Sequence, residues 1–303
     1  MAILIDQNTR FLIQGITGRA GNQVCEMLQK YGTKVVAGVR PGKGGEAVLG
    51  VPVYDSVVQA LKAHPEINAS LIYVPPGFVL DAATEAIEAL PAGRQGRMPL
   101  IHIFTEKVPI ADSAKIFAKA QDRGVRILGP ASIGAISPNL AKIGSIGGFE
   151  NRGFKKGQVG VISKSGGMCS EIANLMTASG FGQSTVVGIG GDVIIGTNFV
   201  DCLELFEKDS QTKAVVLFGE VGGTYEEEAA DFIKAGKFTK PVVAYIAGRF
   251  IGRLPQGTPL GHAGAMIEGN RGTWESKVEA FLKAGVKVAK KLEDVPKMLK
   301  EVL

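Results

Sequence analysis

The amino-acid sequence predicts an α/β protein of two domains built on parallel sheets, and four observations lead there. Its 303 residues exceed one ordinary domain, at about 100–200 residues each. A hydrophobic share of 45% with 21% charged residues is that of a globular chain. The low aromatic share of 7% beside 41 glycines suits aliphatic parallel strands joined by tight turns. Finally, short apolar runs alternate with helical patterns through the first half, and then again through the second.

In order along the chain, the apolar runs place strands at 10–14, 34–39, 69–74, 100–104 and 126–128. Helical spacing fills the gaps at 22–31, 56–64, 78–89 and 110–123. A polar stretch rich in Gly and Pro, 129–157, separates this series from the next. The second series gives strands at 157–162, 183–188, 214–220, 242–247 and 286–288. Its helices are expected at 171–179, 199–208, 226–235 and 274–284, with a Lys/Glu-rich helix at the end. The domain boundary is set at Leu128/Gly129, giving units 1–128 and 129–303. The run PAGRQGRMP (91–99) reads as a surface loop inserted between a helix and a strand.

The formal net charge is +5, yet no Lys/Arg run exceeds two residues. A nucleic-acid footprint clusters on a stripe or face, so the excess points to a phosphorylated cofactor and not to nucleic acid. Cys25, Cys169 and Cys202 are odd in number and lack CxxC spacing, which indicates a reducing compartment and no zinc knuckle. Residues 1–5 are apolar, but Asp6 and Arg10 interrupt them before a signal peptide or membrane span could form. A soluble, cytoplasmic protein is expected.

Two glycine-rich turns follow predicted strands. The first is Gly15-Ile16-Thr17-Gly18-Arg19-Ala20-Gly21, where glycine lets the backbone approach a pyrophosphate seated on a helix N-terminus. The spacing is GxxGxxG, and the second strand ends in Arg40-Pro41-Gly42-Lys43 with no carboxylate for a ribose. Those cations favour a 3′-phosphorylated nucleotide such as CoA over NAD; a plain structural turn is the alternative. The second turn, Ser163-Lys164-Ser165-Gly166-Gly167-Met168, is again an anion cradle by type, without P-loop spacing.

Of three histidines, His64 closes a helix before Pro65, and His102 sits within a strand that reads as buried. His262 differs, because the small residues of Gly261-His262-Ala263-Gly264-Ala265 leave its ring exposed and free to swing. A neutral imidazole is a nucleophile near pH 7 and forms a high-energy N–P bond. Glu220, at the end of a predicted strand, suits the carboxylate that orients the other ring nitrogen. Cys169 is a rival nucleophile that reads better as a small buried filler. The run Glu226-Glu227-Glu228 opens a helix and is explained by dipole compensation.

With these residues assembled, the chain resembles the α subunits of the succinyl-CoA synthetase family from about residue 5 to the C-terminus. The stretches that carry the likeness are GITGRAG (15–21), VRPGKGG (39–45), YVPP (73–76), FTE (104–106), FGQSTVVGIGGD (181–192), GEVGG (219–223) and GHAGAMI (261–267). The resemblance implies a Rossmann-like CoA-binding domain followed by a flavodoxin-like domain bearing a phosphohistidine. It implies CoA contacts at Thr17, Gly18, Arg19, Ala20, Lys43, Phe104, Thr105 and Glu106. His262 matches the phosphorylated histidine, Glu220 its carboxylate partner, and Ser165, Gly166 and Gly167 the helix N-terminus that holds phosphate. The implied partner is an ATP-grasp β subunit that binds Mg-ATP or Mg-GTP, in an αβ or α2β2 assembly. The implied reaction passes phosphate from the nucleotide to His262, then to a small carboxylate, whose acyl phosphate the CoA thiol attacks.

Two stretches depart from the succinate-specific pattern. Where those members usually read SRSGTLTYE, this chain has Gly167 for Thr and Ser170 for a substrate-side Tyr, while SGGM, GPASIG (129–134) and KIGSIGG (142–148) are similar to ATP-citrate lyase and citryl-CoA synthetase. Residues 249–256 also differ and run slightly longer. A citrate–CoA ligase subunit is therefore the alternative within the class, with a noncatalytic CoA-binding protein and an NAD-dependent dehydrogenase outside it.

Overall fold

The computed structural model describes residues 2–91, 98–251, 261–267 and 271–303. Most of the 91–99 insertion and of the 249–256 segment lies outside the described residues. The described residues form two seven-stranded sheets with helices between the strands.

The first sheet uses β1 (Arg10–Gln14), β2 (Lys34–Val39), β3 (Ala47–Val48), β4 (Val51–Tyr54), β5 (Ala69–Ile72), β6 (Leu100–Ile103) and β7 (Arg126–Leu128), in the order β3-β4-β2-β1-β5-β6-β7. Leaving out β3, its parallel strands follow the 3-2-1-4-5-6 order of the Rossmann fold. The hairpin of β3 and β4 is an addition to the sequence expectation. Helices α1 (Arg19–Tyr31), α2 (Val57–Ala63), α3 (Val79–Ala89) and α4 (Ile110–Arg123) make the crossovers.

The second sheet uses β8 (Gly134–Ser137), β9 (Ala141–Gly144), β10 (Lys156–Ser163), β11 (Gln183–Gly188), β12 (Ala214–Glu220), β13 (Val242–Ala247) and β14 (Lys287–Val288). Their order is β14-β13-β12-β10-β11-β8-β9. The five parallel strands from β10 onward show the 2-1-3-4-5 order of flavodoxin-like sheets. Helices α5 (Gly166–Ala178), α6 (Phe199–Lys208), α7 (Tyr225–Lys234), α8 (Trp274–Lys283) and α9 (Val295–Lys300) accompany them. Strands β5, β6 and β11 are buried along their whole length, as sheets covered on both faces require.

The stretch 129–157 does not act as a spacer. It contributes β8, antiparallel to β11, and β9, antiparallel to β8, so the sheets are mainly but not wholly parallel. Both strands are fully buried, and the outer one meets the end of α1. There Thr33 Oγ1 donates to the Lys142 carbonyl at 3.0 Å and accepts from Lys142 N–H at 3.2 Å. One apolar core runs through both sheets, joining Ile5, Phe11 and Leu128 to Ala135, Ile143 and Phe199. Among the described residues, no helix is long and apolar enough to cross a membrane.

Candidate functional site

In open α/β sheets, ligands bind outside the C-terminal strand ends where the strand order reverses. This chain has two such points, between β1 and β5 and between β10 and β12.

At the first, β1 turns at Gly15 into α1. Gly15 has φ +84°, and a Cβ there would stand 2.7 Å from the Tyr73 carbonyl oxygen. A Cβ at Gly21 would stand 2.2 Å from the Gly15 oxygen, so this glycine sets how closely the helix seats on the turn. Gly18 caps α1 in an extended conformation, with no side chain on the first-turn N–H groups. Thr17 and Gly18 are half-buried; Arg19 and Ala20 are exposed. Beside the turn lies a cavity of about 540 Å³ lined by Gln14, Gly15, Arg40, Pro41, Val74, Phe78, Asp81 and Glu85.

Lys43 does not line that cavity. It stands on an exposed turn, paired with Glu46 at 2.7 Å, and Arg40 is the cation on the wall. Phe104 stacks on Tyr73, with ring centroids 4.7 Å apart at 11°. Thr105 Oγ1 donates to the Val74 carbonyl at 2.6 Å, which fixes the end of β6 beside the end of β5. Glu106 follows, exposed, and its charge acts on both His262 and Asp192.

At the second point, β10 runs through Lys164 and Ser165 into α5. The helix opens at Gly166, five residues before the expected start, with no side-chain cap on its N–H groups. Two glycines hide the start from propensity. Gly166 packs against Ile133, where a Cβ would come within 2.9 Å. Gly167 is exposed with nothing within 4 Å of a Cβ, and Ser170 is half-buried.

Glu220 closes β12 and reaches the His262 loop, 42 residues on. Its two carboxylate oxygens lie 2.7 and 2.8 Å from His262 Nδ1. The ring is half-buried and held in place, contrary to the expectation that it swings freely. It rests on Gly191, where a Cβ would meet Cγ and Cδ2 at 2.7 Å, and Gly264 N–H donates to the Gly191 carbonyl at 2.9 Å. Gly222 also approaches the loop closely, since a Cβ there would stand 2.5 Å from Ala265 Cα. The hydrogen bond that His262 Nδ1–H donates to Glu220 raises the pKa of His262 against the opposing effect of burial. A carboxylate on Nδ1 selects the Nδ1–H tautomer, and Nε2 keeps the lone pair. A smaller cavity of about 290 Å³ opens beside His262 and Glu220, walled by Val221, Ala247, Phe250 and Ile251.

The remaining candidates sort by burial. Cys169 is fully buried and its thiol is pushed up to about 12, which removes the rival nucleophile. His102 is buried, bonds the Ser132 carbonyl at 2.9 Å through Nε2, and is pushed down to about 4 by desolvation. His64 ends α2 and meets the Tyr54 hydroxyl at 3.1 Å. Glu226, read from sequence as dipole compensation, is fully buried and ion-paired with Lys277. Sequence reasoning counted Arg40 among the cations of 40–43 but assigned the contact to Lys43, and it gave no role to Lys164, Gly191 or Asp192. Among the described residues, no cluster of His, Cys, Asp or Glu could hold a metal ion.

Comparison with known proteins agrees with both halves of this arrangement. A CoA binding domain family matches residues 6–106, and a CoA-ligase family matches residues 162–287. The "Succinate--CoA ligase [ADP-forming] subunit alpha 2" of Archaeoglobus fulgidus is 47% identical over 303 residues, all of both chains. The corresponding α subunit of Staphylococcus aureus is 44% identical over 95% of this chain and 91% of its own. Among solved structures, ATP citrate lyase of Methanosaeta concilii in complex with (3S)-citryl-CoA superposes with a TM-score of 0.89 at 27% identity. The match covers 99% of this chain, which spans half the length of the lyase. By full-length identity and both domain matches, the chain belongs to the family of α subunits of ADP-forming succinate–CoA ligases.

Proposed function

We propose that the chain is the CoA-binding, phosphohistidine-carrying subunit of a nucleotide-dependent succinate–CoA ligase, working in the cytoplasm. Its partner is an ATP-grasp β subunit that supplies Mg-ATP or Mg-GTP. The observation that carries this reading is the Glu220 carboxylate on His262 Nδ1 at the second sheet's switch point.

In this mechanism Nε2 of neutral His262 attacks the γ-phosphorus, and the bond to the departing nucleoside diphosphate breaks. Glu220 holds the Nδ1 proton and offsets charge on the ring. Free N–H groups at Ser165, Gly166 and Gly167 receive the phosphate at the start of α5. The phosphoryl group then passes to the carboxylate of succinate, and the CoA thiol displaces it as inorganic phosphate. CoA fits the first switch point, where the 540 Å³ cavity meets the uncapped start of α1 and the Arg40 cation. Thr17, Gly18, Arg19, Ala20, Lys43, Phe104, Thr105 and Glu106 are assigned to it, with Arg40 added. The CoA unit spans 1–128 and the ligase unit 129–303.

Incubating the reconstituted complex with γ-labelled ATP tests the carrier. Label should appear on the wild-type chain and be absent from His262→Asn. Label persisting on that variant at the wild-type level would sink the assignment. A noncatalytic CoA-binding protein would retain CoA but never take up acid-labile phosphate, and an NAD-dependent dehydrogenase would retain no CoA.

Citrate is the second reading for the acid, and one observation favours it. Gly167 faces open space and Ser170 is small, which leaves room beside the phosphate turn for a third carboxylate. The full-length likeness to succinate–CoA ligase subunits puts succinate first. Measuring kcat/KM for both acids decides, and a citrate preference above about tenfold, the discrimination of one or two methylene-sized contacts, reverses the order.

A further inference from the structure

Beneath the His262–Glu220 pair runs a buried row of alternating charges that the mechanism above does not use. Lys277 and Glu226 are fully buried, and the Lys164 side chain is 2% exposed. Lys277 Nζ, on α8, pairs with Glu226, lies 2.8 Å from Glu227 Oε2, and donates to the Gly223 carbonyl at 2.9 Å. Glu226 Oε1 lies 3.6 Å from Lys164 Nζ and accepts the backbone N–H of Glu220 at 3.1 Å. Lys164 Nζ in turn lies 3.9 Å from Glu220 Oε1 and 3.5 Å from the Gly222 carbonyl. The row therefore reads Lys277, Glu226, Lys164, Glu220, His262, and it joins the starts of α7 and α8 to the ends of β10 and β12.

Stability alone is a poor reason for this row, because burying such charges costs about as much as their attraction returns. Its geometry offers a better one. Both Glu220 oxygens face a single nitrogen, so the rotation of the carboxylate must be fixed. Lys164 supplies the countercharge from behind, and Glu226 fixes the main chain of the same glutamate. Lys277 neutralises Glu226, which would otherwise draw Lys164 away from Glu220.

We propose that Lys164, held by Glu226 and Lys277, is a positioning residue for phosphoryl transfer. It keeps the Glu220 carboxylate aimed at His262 Nδ1, so that Nε2 presents its lone pair. This rests on the reading of His262 as the carrier. In the step concerned, the Nε2–P bond forms as the P–O bond to ADP breaks, and the Nδ1 proton stays on the ring facing Glu220. The charged groups acting on His262 are Glu220 at the end of β12, Lys164 after β10, and Glu106 after β6. Asp192, after β11, is coupled to the same ring. Lys164 is the cation in that set and disfavours the imidazolium, so removing it extends the protonated, unreactive form to higher pH.

The test is single-turnover labelling of the reconstituted complex with γ-labelled ATP across a pH series, with Lys164→Met, Lys164→Gln and Lys164→Arg. The neutral variants should label about ten- to a hundredfold more slowly, the usual loss when a group behind a reactive histidine is removed. Their acid limb should move to higher pH, and arginine should restore both rate and limb. CoA retention at the wild-type level certifies that the variants are folded. Wild-type rates in both neutral variants would overturn the proposal. So would slow labelling whose limb stays put and which arginine does not restore. Failure of the wild-type chain to take label is a different outcome, and it removes the carrier reading itself.

Discussion

In the proposed reaction, one hydrogen bond selects the nitrogen of His262 that attacks, and the same bond bears on the pH at which it does so. Glu220 raises the histidine pKa, so the imidazolium persists above its ordinary range and the nucleophile emerges only at higher pH. Glu220→Gln removes the charge, lowers that pKa, and should move the acid limb of labelling to lower pH. Its plateau should fall by about 10²–10⁴-fold, the range for a lost positioned group. A limb that moves upward instead would contradict the geometry. Lys164 has the opposite sign in the same assay, which separates the two roles. His262 and Glu220 were legible in the sequence, the one from its small-residue loop and the other from its place at a strand end. Lys164, Glu226 and Lys277 were not. A charge in a turn or a helix's first turn reads as solvated, and the contact between residues 226 and 277 spans 51 positions.

The elements that were legible are those whose burial and period agree. Strands β1, β2, β7, β11, β12 and β13 and helices α4 and α6 carry the bounds that their apolar runs predict. The β3–β4 hairpin escaped because its two-residue turn uses Leu49 at φ 51° before Gly50 at φ 79°. A primed turn ordinarily announces itself by Asn-Gly or Asp-Gly, and a leucine gives no such signal. Strands β8 and β9 escaped because glycine and proline punctuate four-residue runs too short to show a period. The GxxGxxG turn, in contrast, was legible, and its geometry gives a prediction. At Gly21 any Cβ collides with the Gly15 carbonyl, a backbone atom that cannot step aside. Gly21→Ala should tilt α1 off its turn, cost about 1–3 kcal/mol of stability as overpacking does, and abolish CoA retention. A variant that melts and binds CoA like the wild type would show that the close approach is dispensable.

At the scale of the whole molecule, the two switch points are joined by a short run of main chain. Residues 104–106 lie at the first switch point, and the next two N–H groups, of Lys107 and Val108, each donate to the Asp192 carboxylate at 3.3 Å. Asp192 follows Gly191, which supports the His262 ring, and a Cβ at Gly264 would stand 2.7 Å from the Asp192 carbonyl. Asp192 is buried, and desolvation raises its pKa while the two N–H groups oppose that shift. One residue thus ties the strand end that carries Phe104, Thr105 and Glu106 to the loop that carries His262. An interaction of this kind has no signature in composition or period, because each half is an ordinary turn until the two sheets pack. Its consequence is a division between half-reactions. In the proposed mechanism, phosphorylation of His262 would need only the second sheet and the partner subunit, whereas transfer to CoA would need the two switch points at a fixed separation. Asp192→Ala frees both N–H groups and should slow CoA-dependent discharge of the phosphorylated chain by about 10²-fold, the loss expected for a misplacement near 1 Å. Labelling by ATP should change severalfold less. Pre-labelled complex, chased with succinate and CoA, reads the discharge, and an equal loss in both steps would show that Asp192 supports the His262 loop alone.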